Sequence, residues 1–283
     1  MGDPLVSILI PAFNRENFIK DAIESALNQT YKNTEIIIVD NNSSDNTWQT
    51  IMYYKSKDPR IKAYRNKKNI GPVLNWQKCI SQSSGEYIKF LFSDDYISEN
   101  YVEESINLFD NNTSFVLSPI KIINNSNLEI SLYSDYKQMS VLSKEKYLRN
   151  ILFFNRLKLP VSPGAGIFRK IDIQKTLEID LINPFNLNFN KFGAGPDLLL
   201  YLDSAKKKNI KISTNSIAFF RSHESSFTIA HNLIFDYEFV KAYFILKKSN
   251  LCKILYFFVL LFKSTYTKEI RKLVPFFLKK IIK

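Results

Sequence analysis

Four segments near the amino terminus alternate between two hydrophobic periods, and this alternation restricts the fold more than anything else in the chain. Leu5–Ile10 (LVSILI) and Thr34–Asp40 (TEIIIVD) are β-branched runs of strand length. Between them, Glu16–Gln29 carries Phe18, Ile19, Ala22, Ile23, Ala26 and Leu27 at i, i+3, i+4 spacing, which predicts an amphipathic helix. A second helix is expected over Asn46–Lys57. Strand, helix, strand, helix implies an α/β fold with a mainly parallel sheet flanked by helices. Ligands of such sheets sit in the crevice beyond the carboxyl ends of the strands.

Those ends are polar here. Leu5–Ile10 runs into Pro11-Ala12-Phe13-Asn14, and Thr34–Asp40 into Asn41, Asn42, Ser43, Ser44 and Asp45. A third apolar run, Glu86–Asp95 (EYIKFLFSDD), stops abruptly at Ser93, Asp94 and Asp95. Adjacent carboxylates at the end of a buried strand repel each other and lose hydration. A divalent cation bound to a phosphate would offset that cost, because hard cations take oxygen ligands. A solvated Asp-Asp turn is the alternative, since turns favour Asp for local reasons. Pro11–Asn14, Asp40–Asn42 and Asp94–Asp95 are expected to face one pocket. No GxGxxG or GxxxxGK(S/T) follows a strand, so dinucleotide and P-loop sites lack support.

Val6–Asn14 (VSILIPAFN), Ile36–Asp45 (IIIVDNNSSD), Asn69-Ile70-Gly71 with Asn75, and Gly85–Asp95 follow one another in a pattern that resembles the inverting family 2 glycosyltransferases. The resemblance implies the GT-A fold, a Rossmann-like, mainly parallel mixed sheet flanked by helices. It also implies a nucleotide-sugar donor, with Pro11, Ala12, Asn14, Asp40, Asn69 and Asp94 on the nucleotide. Asp40 would accept the uracil N3–H of a UDP-sugar through a charge-assisted bond; a turn or helix-start cap is its other reading. Asp94, Asp95 and His223 would hold Mn²⁺ or Mg²⁺. Two positions depart from the family pattern. Phe92 stands where members often have the first acid of Asp-x-Asp-Asp, and Pro196 where a Glu usually precedes the second acid.

That second acid corresponds to Asp197, in Gly195-Pro196-Asp197 before a helix-like Leu198–Ala205. Inverting transfer is one displacement at the anomeric carbon, so a base must take the acceptor hydroxyl's proton as it attacks. Asp197 is the candidate base, and its place also suits an N-cap or first-turn acid. His223 follows a strand-like Lys211–Phe220 in Arg221-Ser222-His223, which resembles the Tyr-Arg-x-His-x-x-Ser ending of many members. A lone surface histidine is the alternative, and His231 has no comparable context. Two histidines and the distant Cys79 and Cys252 assemble no zinc spacing, and they suit a reducing compartment.

Charge separates the carboxyl-terminal end from the rest. Residues 241–283 hold eleven Lys and Arg against Glu269 alone, ten of the chain's +12. Bulky apolar runs lie between these charges, among them Ile254–Phe262 (ILYFFVLLF), far short of the ~20 residues a spanning helix needs. Residues 1–235 are therefore expected to form the GT-A domain, with 1–110 as the nucleotide-sugar half and 111–235 as the acceptor half. Residues 236–283 are expected to form a basic, aromatic-rich amphipathic helical extension lying on an anionic membrane surface. Core packing and an oligomer interface are the alternatives. Asp197 and the strand ends lie upstream, so a chain ending at residue 240 is expected to stay folded. Nucleic acid is not an expected partner, since no recognition motif accompanies the charge. The amino terminus is expected to enter a strand within a few residues, without a signal sequence. The combined expectation is a peripheral enzyme on the cytoplasmic face of the cell membrane. It would move a sugar from a nucleotide donor to a glycan acceptor, lipid-linked, in surface polysaccharide synthesis. A catalytically impaired nucleotide-binding protein, suggested by Phe92 and Pro196, and a nucleotidyltransferase are the other readings. Ser114–Ile123 (SFVLSPIKII) reads as a strand and Lys144–Phe154 as a helix, while residues 124–127 and Ser162–Gly166 carry no acceptor assignment.

Overall fold

The computed structural model describes residues 3–133, 136, 138–154, 156–174, 177, 185–206, 208–223, 233–246 and 250–282. β1 (Val6–Ala12), α1 (Ile19–Leu27), β2 (Thr34–Asp40), α2 (Thr47–Lys55) and β3 (Ile61–Arg65) follow the order the hydrophobic periods predict. α1 starts at Ile19 rather than Glu16 because the Arg15 carbonyl closes a turn on the amides of Phe18 and Ile19. α3 (Pro72–Gln82) opens with proline in its first turn, where a missing N–H costs nothing, and leads into β4 (Tyr87–Phe90). Every residue of β1, β2 and β4 is buried, as in strands covered on both faces.

After Phe90 the chain leaves the sheet, turns through Asp94, and forms the short β5 (Tyr96–Ile97). Next come α4 (Tyr101–Ile106), β6 (Thr113–Leu117), β7 (Ile120–Ile123), β8 (Glu129–Tyr133), β9 (Val141–Leu142) and α5 (Lys144–Arg149). Then follow β10 (Gly166–Arg169), α6 (Lys170–Ile173), α7 (Phe189–Phe192), α8 (Pro196–Ser204), β11 (Asn209–Ile212) and β12 (Ala218–Arg221). The chain closes with α9 (Ile234–Leu246), α10 (Asn250–Tyr266) and α11 (Leu273–Ile282).

The larger sheet runs β3-β2-β1-β4-β10-β6-β11-β9, and the smaller β5-β12-β7-β8. β3, β2, β1 and β4 are mutually parallel, whereas β10 is antiparallel to both its neighbours. Strand order reverses between β1 and β4, which opens a crevice beyond their carboxyl ends.

Two apolar runs expected as single strands are each broken in two. Ser114–Ile123 divides at Ser118-Pro119, and Lys211–Phe220 at Ser213–Ile217, so that β6 and β11 pair in one sheet and β7 and β12 in the other. Pro119 has no N–H to donate to a continuous ladder. The two crossings lie side by side, joined by Ser118 Oγ and Ser216 Oγ at 2.9 Å. The helix expected over Lys144–Phe154 is likewise α5 followed by a π-helical turn, Asn150–Phe154.

Residues alternate across β1 with period two. Ile8 and Ile10 join the core under α1, while Leu9 joins the core under α3 and α8. That second core also contains much of the carboxyl-terminal end: Phe239, Val240, Phe244, Ile245, Tyr256, Val259, Leu260, Ile270, Leu273 and Phe277 are all buried in it. A boundary at 235/236 falls within the first turn of α9. Glu238, itself buried, joins α9 to α10. Its Oε1 accepts from Lys241 Nζ at 2.9 Å and Lys263 Nζ at 2.7 Å, and its Oε2 from the Tyr256 hydroxyl at 3.1 Å.

Candidate active site

The loop after β1 is tied to the loop after β2. Asn14, at φ 50°, accepts the Ser44 amide at 2.9 Å on its side-chain oxygen, while its own amide donates to Ser43 Oγ at 2.9 Å. Only a short polar side chain adopts this left-handed conformation at low cost, which explains an asparagine after Pro11-Ala12-Phe13. Asp40 is fully buried at the end of β2. It accepts the Ser43 amide and hydroxyl and pairs with Arg65 Nε at 2.9 Å. Its carboxylate thus already serves as a turn cap, and a base N–H would have to share it with Arg65.

Asn69 belongs to an amide network rather than standing alone. Its Oδ1 accepts from Asn41 Nδ2 at 2.8 Å and from the Gly71 amide at 2.9 Å. Asn66 donates to Asn41 Oδ1 at 3.0 Å and to Asn75 Oδ1 at 2.9 Å, and Asn75 donates to the Val39 carbonyl at 3.0 Å. This network holds the ends of β2 and β3 against α3 and shapes the floor of the crevice.

Asp94, in the turn after β4, is joined by residues distant in sequence. Its Oδ2 is 3.0 Å from His223 Nε2 and accepts from Arg15 Nε at 3.2 Å. The His223 ring stacks on Phe18 with centroids 4.9 Å apart. Arg221 anchors the same corner: its Nε donates to the Asp94 carbonyl at 3.1 Å and its guanidinium pairs with Asp21 at 2.8 Å. Burial pushes the Asp94 carboxyl up, but the His223 hydrogen bond and the nearby Arg15 charge outweigh it, leaving Asp94 below the ordinary carboxylate range. Asp95 goes the other way. Burial and the Asp94 charge hold it well above that range, against the Arg221 amide that donates to its Oδ1 at 2.9 Å. Beneath it, Lys89 is wholly buried, bonded to the Gly164 carbonyl and lying 3.9 Å from the Tyr101 ring centroid. One acid of the pair is ionised toward the crevice, and its neighbour is engaged with the backbone.

Among the described residues no group of three or more His, Cys, Asp and Glu is arranged to hold a metal ion. The donors that do converge are the Asp94 carboxylate and the His223 imidazole, and the Asp94 side chain keeps 18% of its surface exposed. Mg²⁺-type sites need only one or two protein carboxylates when substrate phosphates complete the shell. The chemistry of this donor set therefore fits a cation carried with a diphosphate. Phe92, in place of a first acid, packs its ring 5.4 Å from Trp76.

Trp76 also meets the loop that carries Asp197. A Cβ at Gly193 would come within 2.5 Å of the indole, so only glycine lets that loop approach. At Gly195, whose φ is 104°, a Cβ would come within 2.9 Å of Phe189 and Val240, and the Gly195 amide donates to Asp197 Oδ1 at 2.8 Å. Asp197 stands in the first turn of α8, as expected, with its Oδ1 also accepting the Leu198 amide at 2.6 Å. Its Oδ2 accepts the Tyr237 hydroxyl at 2.6 Å. Burial raises the Asp197 carboxyl to about 7, against the opposing pull of these three donors. A carboxylate held near neutrality is matched to taking a proton at physiological pH.

Arg15 and Tyr237 are the functional-site neighbours that sequence reading missed. Arg15 follows Asn14 directly, yet nothing local says which acid it meets. Tyr237 lies forty residues from Asp197 in a segment expected to be elsewhere. His231 and Glu224–Ser226 lie outside the described residues, as does the side chain of Cys252; Cys79 is a buried free thiol.

A mixed sheet whose parallel half gathers its polar strand ends at a switch point, a carboxylate–imidazole pair and a separate buried acid are the arrangement of a nucleotide-sugar transferase of the GT-A fold. The chain belongs to glycosyl transferase family 2, whose family model matches residues 7–174. It is 32% identical over 211 residues to the Escherichia coli UDP-Glc:alpha-D-GlcNAc-diphosphoundecaprenol beta-1,3-glucosyltransferase WfgD, covering 74% of this chain and 73% of WfgD. It is 40% identical over 111 residues to the E. coli enzyme of the same description, WfaP, covering 39% of this chain and 43% of WfaP. The S. aureus TarS 1–349 structure in complex with UDP-GlcNAc superposes with a TM-score of 0.70 at 18% identity, over 93% of this chain and 73% of that one.

Proposed function

We propose that this glycosyltransferase moves a sugar, with inversion, from a UDP-sugar to a glycan acceptor carried on a lipid diphosphate, as a step in surface polysaccharide synthesis. The observation that carries the reading is Asp197, buried at the head of α8, held near neutrality and oriented by three donors. In this role Asp197 takes the proton of the attacking hydroxyl. Arg15 and His223 face the charge that builds on the leaving diphosphate, and the loops after β1 and β2 hold the nucleotide. Asp94 and His223 would hold Mn²⁺ or Mg²⁺, and Asp95 keeps Arg221 and the turn in place behind them. When bound, the cation supplies charge neutralisation to the diphosphate.

Two measurements test this. Purified protein incubated with UDP-glucose and Mn²⁺ is expected to release UDP, and to extend a GlcNAc-diphosphoryl-lipid by one sugar. UDP binding with no release from any sugar nucleotide would favour an impaired nucleotide-binding protein, and pyrophosphate release from a nucleoside triphosphate a nucleotidyltransferase. Asp94→Ala and EDTA are each expected to weaken UDP binding by about tenfold or more, the effect of losing charge-assisted contacts. Calorimetry giving the same UDP affinity with and without metal would remove Asp94 from the site.

A peripheral location at the cytoplasmic membrane face belongs to the same proposal. Among the described residues no helix is long and apolar enough to cross a membrane. Ile254, Phe258 and Leu261, at i, i+4 and i+7 on α10, are 47%, 61% and 37% exposed, an apolar stripe set in a strongly basic segment. The protein is expected to sediment with anionic vesicles, less as salt rises, and Phe258→Ser to weaken the salt-resistant part. Equal sedimentation with neutral and anionic vesicles would contradict the charge argument.

A further inference from the structure

Beside Asp197 lies a cleft of about 210 Å³ that the proposed chemistry leaves unused. Ile151, Val161, Leu198 and Ile234 form its apolar walls, and Tyr237, Glu238 and Lys241 its polar side. Leu198 adjoins Asp197 in α8, and the Tyr237 hydroxyl is the one bonded to the Asp197 carboxylate, so the cleft opens directly next to the candidate base. Tyr237 and Lys241 stand four residues apart on α9, on the same face and one turn from each other. That separation is about the 5–6 Å of neighbouring helix side chains, a span that one pyranose ring covers.

Charged groups in the cleft's lining are Glu238 and Lys241, and Lys263 stands behind Glu238, outside the lining. Glu238 Oε1 accepts from Lys241 Nζ at 2.9 Å and from Lys263 Nζ at 2.7 Å, so within this trio one carboxylate serves two ammonium groups and Lys241 is only half matched. The Lys241 side chain is 15% exposed. In so apolar a setting a cation attracts an anion far more strongly than in water. The cleft therefore offers a positive charge on one side and aliphatic walls on the other. Few substrate groups carry both matching features; a diphosphate esterified to a prenyl chain does.

We propose that this cleft holds the diphosphate–prenyl junction of the acceptor, with the Lys241 ammonium on a phosphate oxygen and Ile151, Val161 and Ile234 against the first isoprene carbons. The inference rests on the reading of the chain as a transferase to a lipid diphosphate acceptor, and it assigns that acceptor's lipid end to particular residues. A sugar between the two would bring its hydroxyl to Asp197 while its diphosphate reaches Lys241, one helical turn away. Ile234, half exposed at the rim, is where the chain of the lipid would leave the protein.

The test uses the full chain saturated with UDP and Mn²⁺, so that the donor site is filled, and farnesyl diphosphate as the probe in calorimetry. Farnesyl diphosphate is expected to bind, Lys241→Ala to weaken it roughly tenfold or more, and Lys241→Arg to retain it. Farnesol and inorganic diphosphate are each expected to bind more weakly than the intact ester. Ile234→Asn, a neutral change at a half-exposed rim position, should weaken farnesyl diphosphate and leave inorganic diphosphate as it was. Melting temperature and UDP affinity of every variant check that the fold and donor side are intact. No binding of farnesyl diphosphate, or equal binding by Lys241→Ala, overturns the proposal. So does farnesol or inorganic diphosphate binding as tightly as the ester. Wild-type protein that hydrolyses a UDP-sugar but ignores farnesyl diphosphate defeats this inference alone; wild-type protein that turns over no UDP-sugar defeats the transferase reading.

Discussion

Asp197→Asn is expected to lower turnover by ~10²–10⁴ while leaving UDP binding nearly unchanged, since the amide keeps the size of the side chain but cannot take a proton. The same change is expected to raise the melting temperature, and the pH dependence fixes the sign. Burial holds the folded-state Asp197 at about 7, above its ordinary 3.8, so the folded protein binds this proton more tightly than the unfolded chain does. Its contribution to stability is complete below the unfolded value and is lost as pH rises through about 7. The variant does not titrate, so its advantage in melting temperature should grow from pH 4 to 7 and then level off. Wild-type kcat/KM should fall about tenfold per pH unit below that range as the base becomes protonated. Stopped-time assays and melting curves across pH 5 to 9 check both halves. Near-normal transfer by Asp197→Asn would remove it as the base, and a variant less stable at pH 8 than at pH 5, relative to wild type, would contradict the burial argument.

Deleting residues 234–283 is expected to leave protein that neither folds nor binds nucleotide. Among the described residues the deletion removes eleven buried apolar side chains, ten of them larger than alanine, from the core shared with β1, α3 and α8. At ~1.5–3 kcal/mol for each fully buried large side chain, the loss exceeds the ~5–15 kcal/mol of net stability typical of a domain. It also strips Tyr237 from Asp197. A chain ending at residue 240 fares little better, because it cuts α9 midway and discards Tyr256 and Lys263, which hold Glu238. Against the expectation that such a chain stays folded stand the buried faces of α9, α10 and α11, the core packing that was its alternative. Circular dichroism and UDP titration of the shortened protein decide the matter. A soluble, cooperatively melting fragment that binds UDP would show that the helices are an accessory after all.

Much of the donor half was legible because its signals are local. β-branched runs give β1 and β2, an apolar, aromatic run gives β4, the 3.6-residue spacing gives α1, and an acid or asparagine near each strand end marks the crevice. The two broken strands were legible only in part. Ser118-Pro119 and Ser213-Thr214-Asn215-Ser216 interrupt the apolar runs, but such an interruption is equally a turn or bulge within one sheet, and only the pairing of β6 with β11 and β7 with β12 shows that each run changes sheets.

By itself, then, the sequence determined the α/β order, the parallel half of the sheet, and which acids lie at its strand ends, since these depend on neighbours within a few residues. The family resemblance had grouped His223 with Asp94, and tertiary structure alone decided the other partners of those acids. Asp94 meets Arg15 and His223, Asp95 meets the Arg221 amide, and Asp197 meets Tyr237, across separations of 40 to 129 residues. It also decided that the basic end of the chain turns its Phe239, Phe244 and Phe277 inward and its Ile254 and Phe258 outward. Composition counts apolar residues without saying which of them another element will cover. That choice is made only when α9, α10 and α11 close over the sheet, because burial is a property of packed surfaces and not of segments.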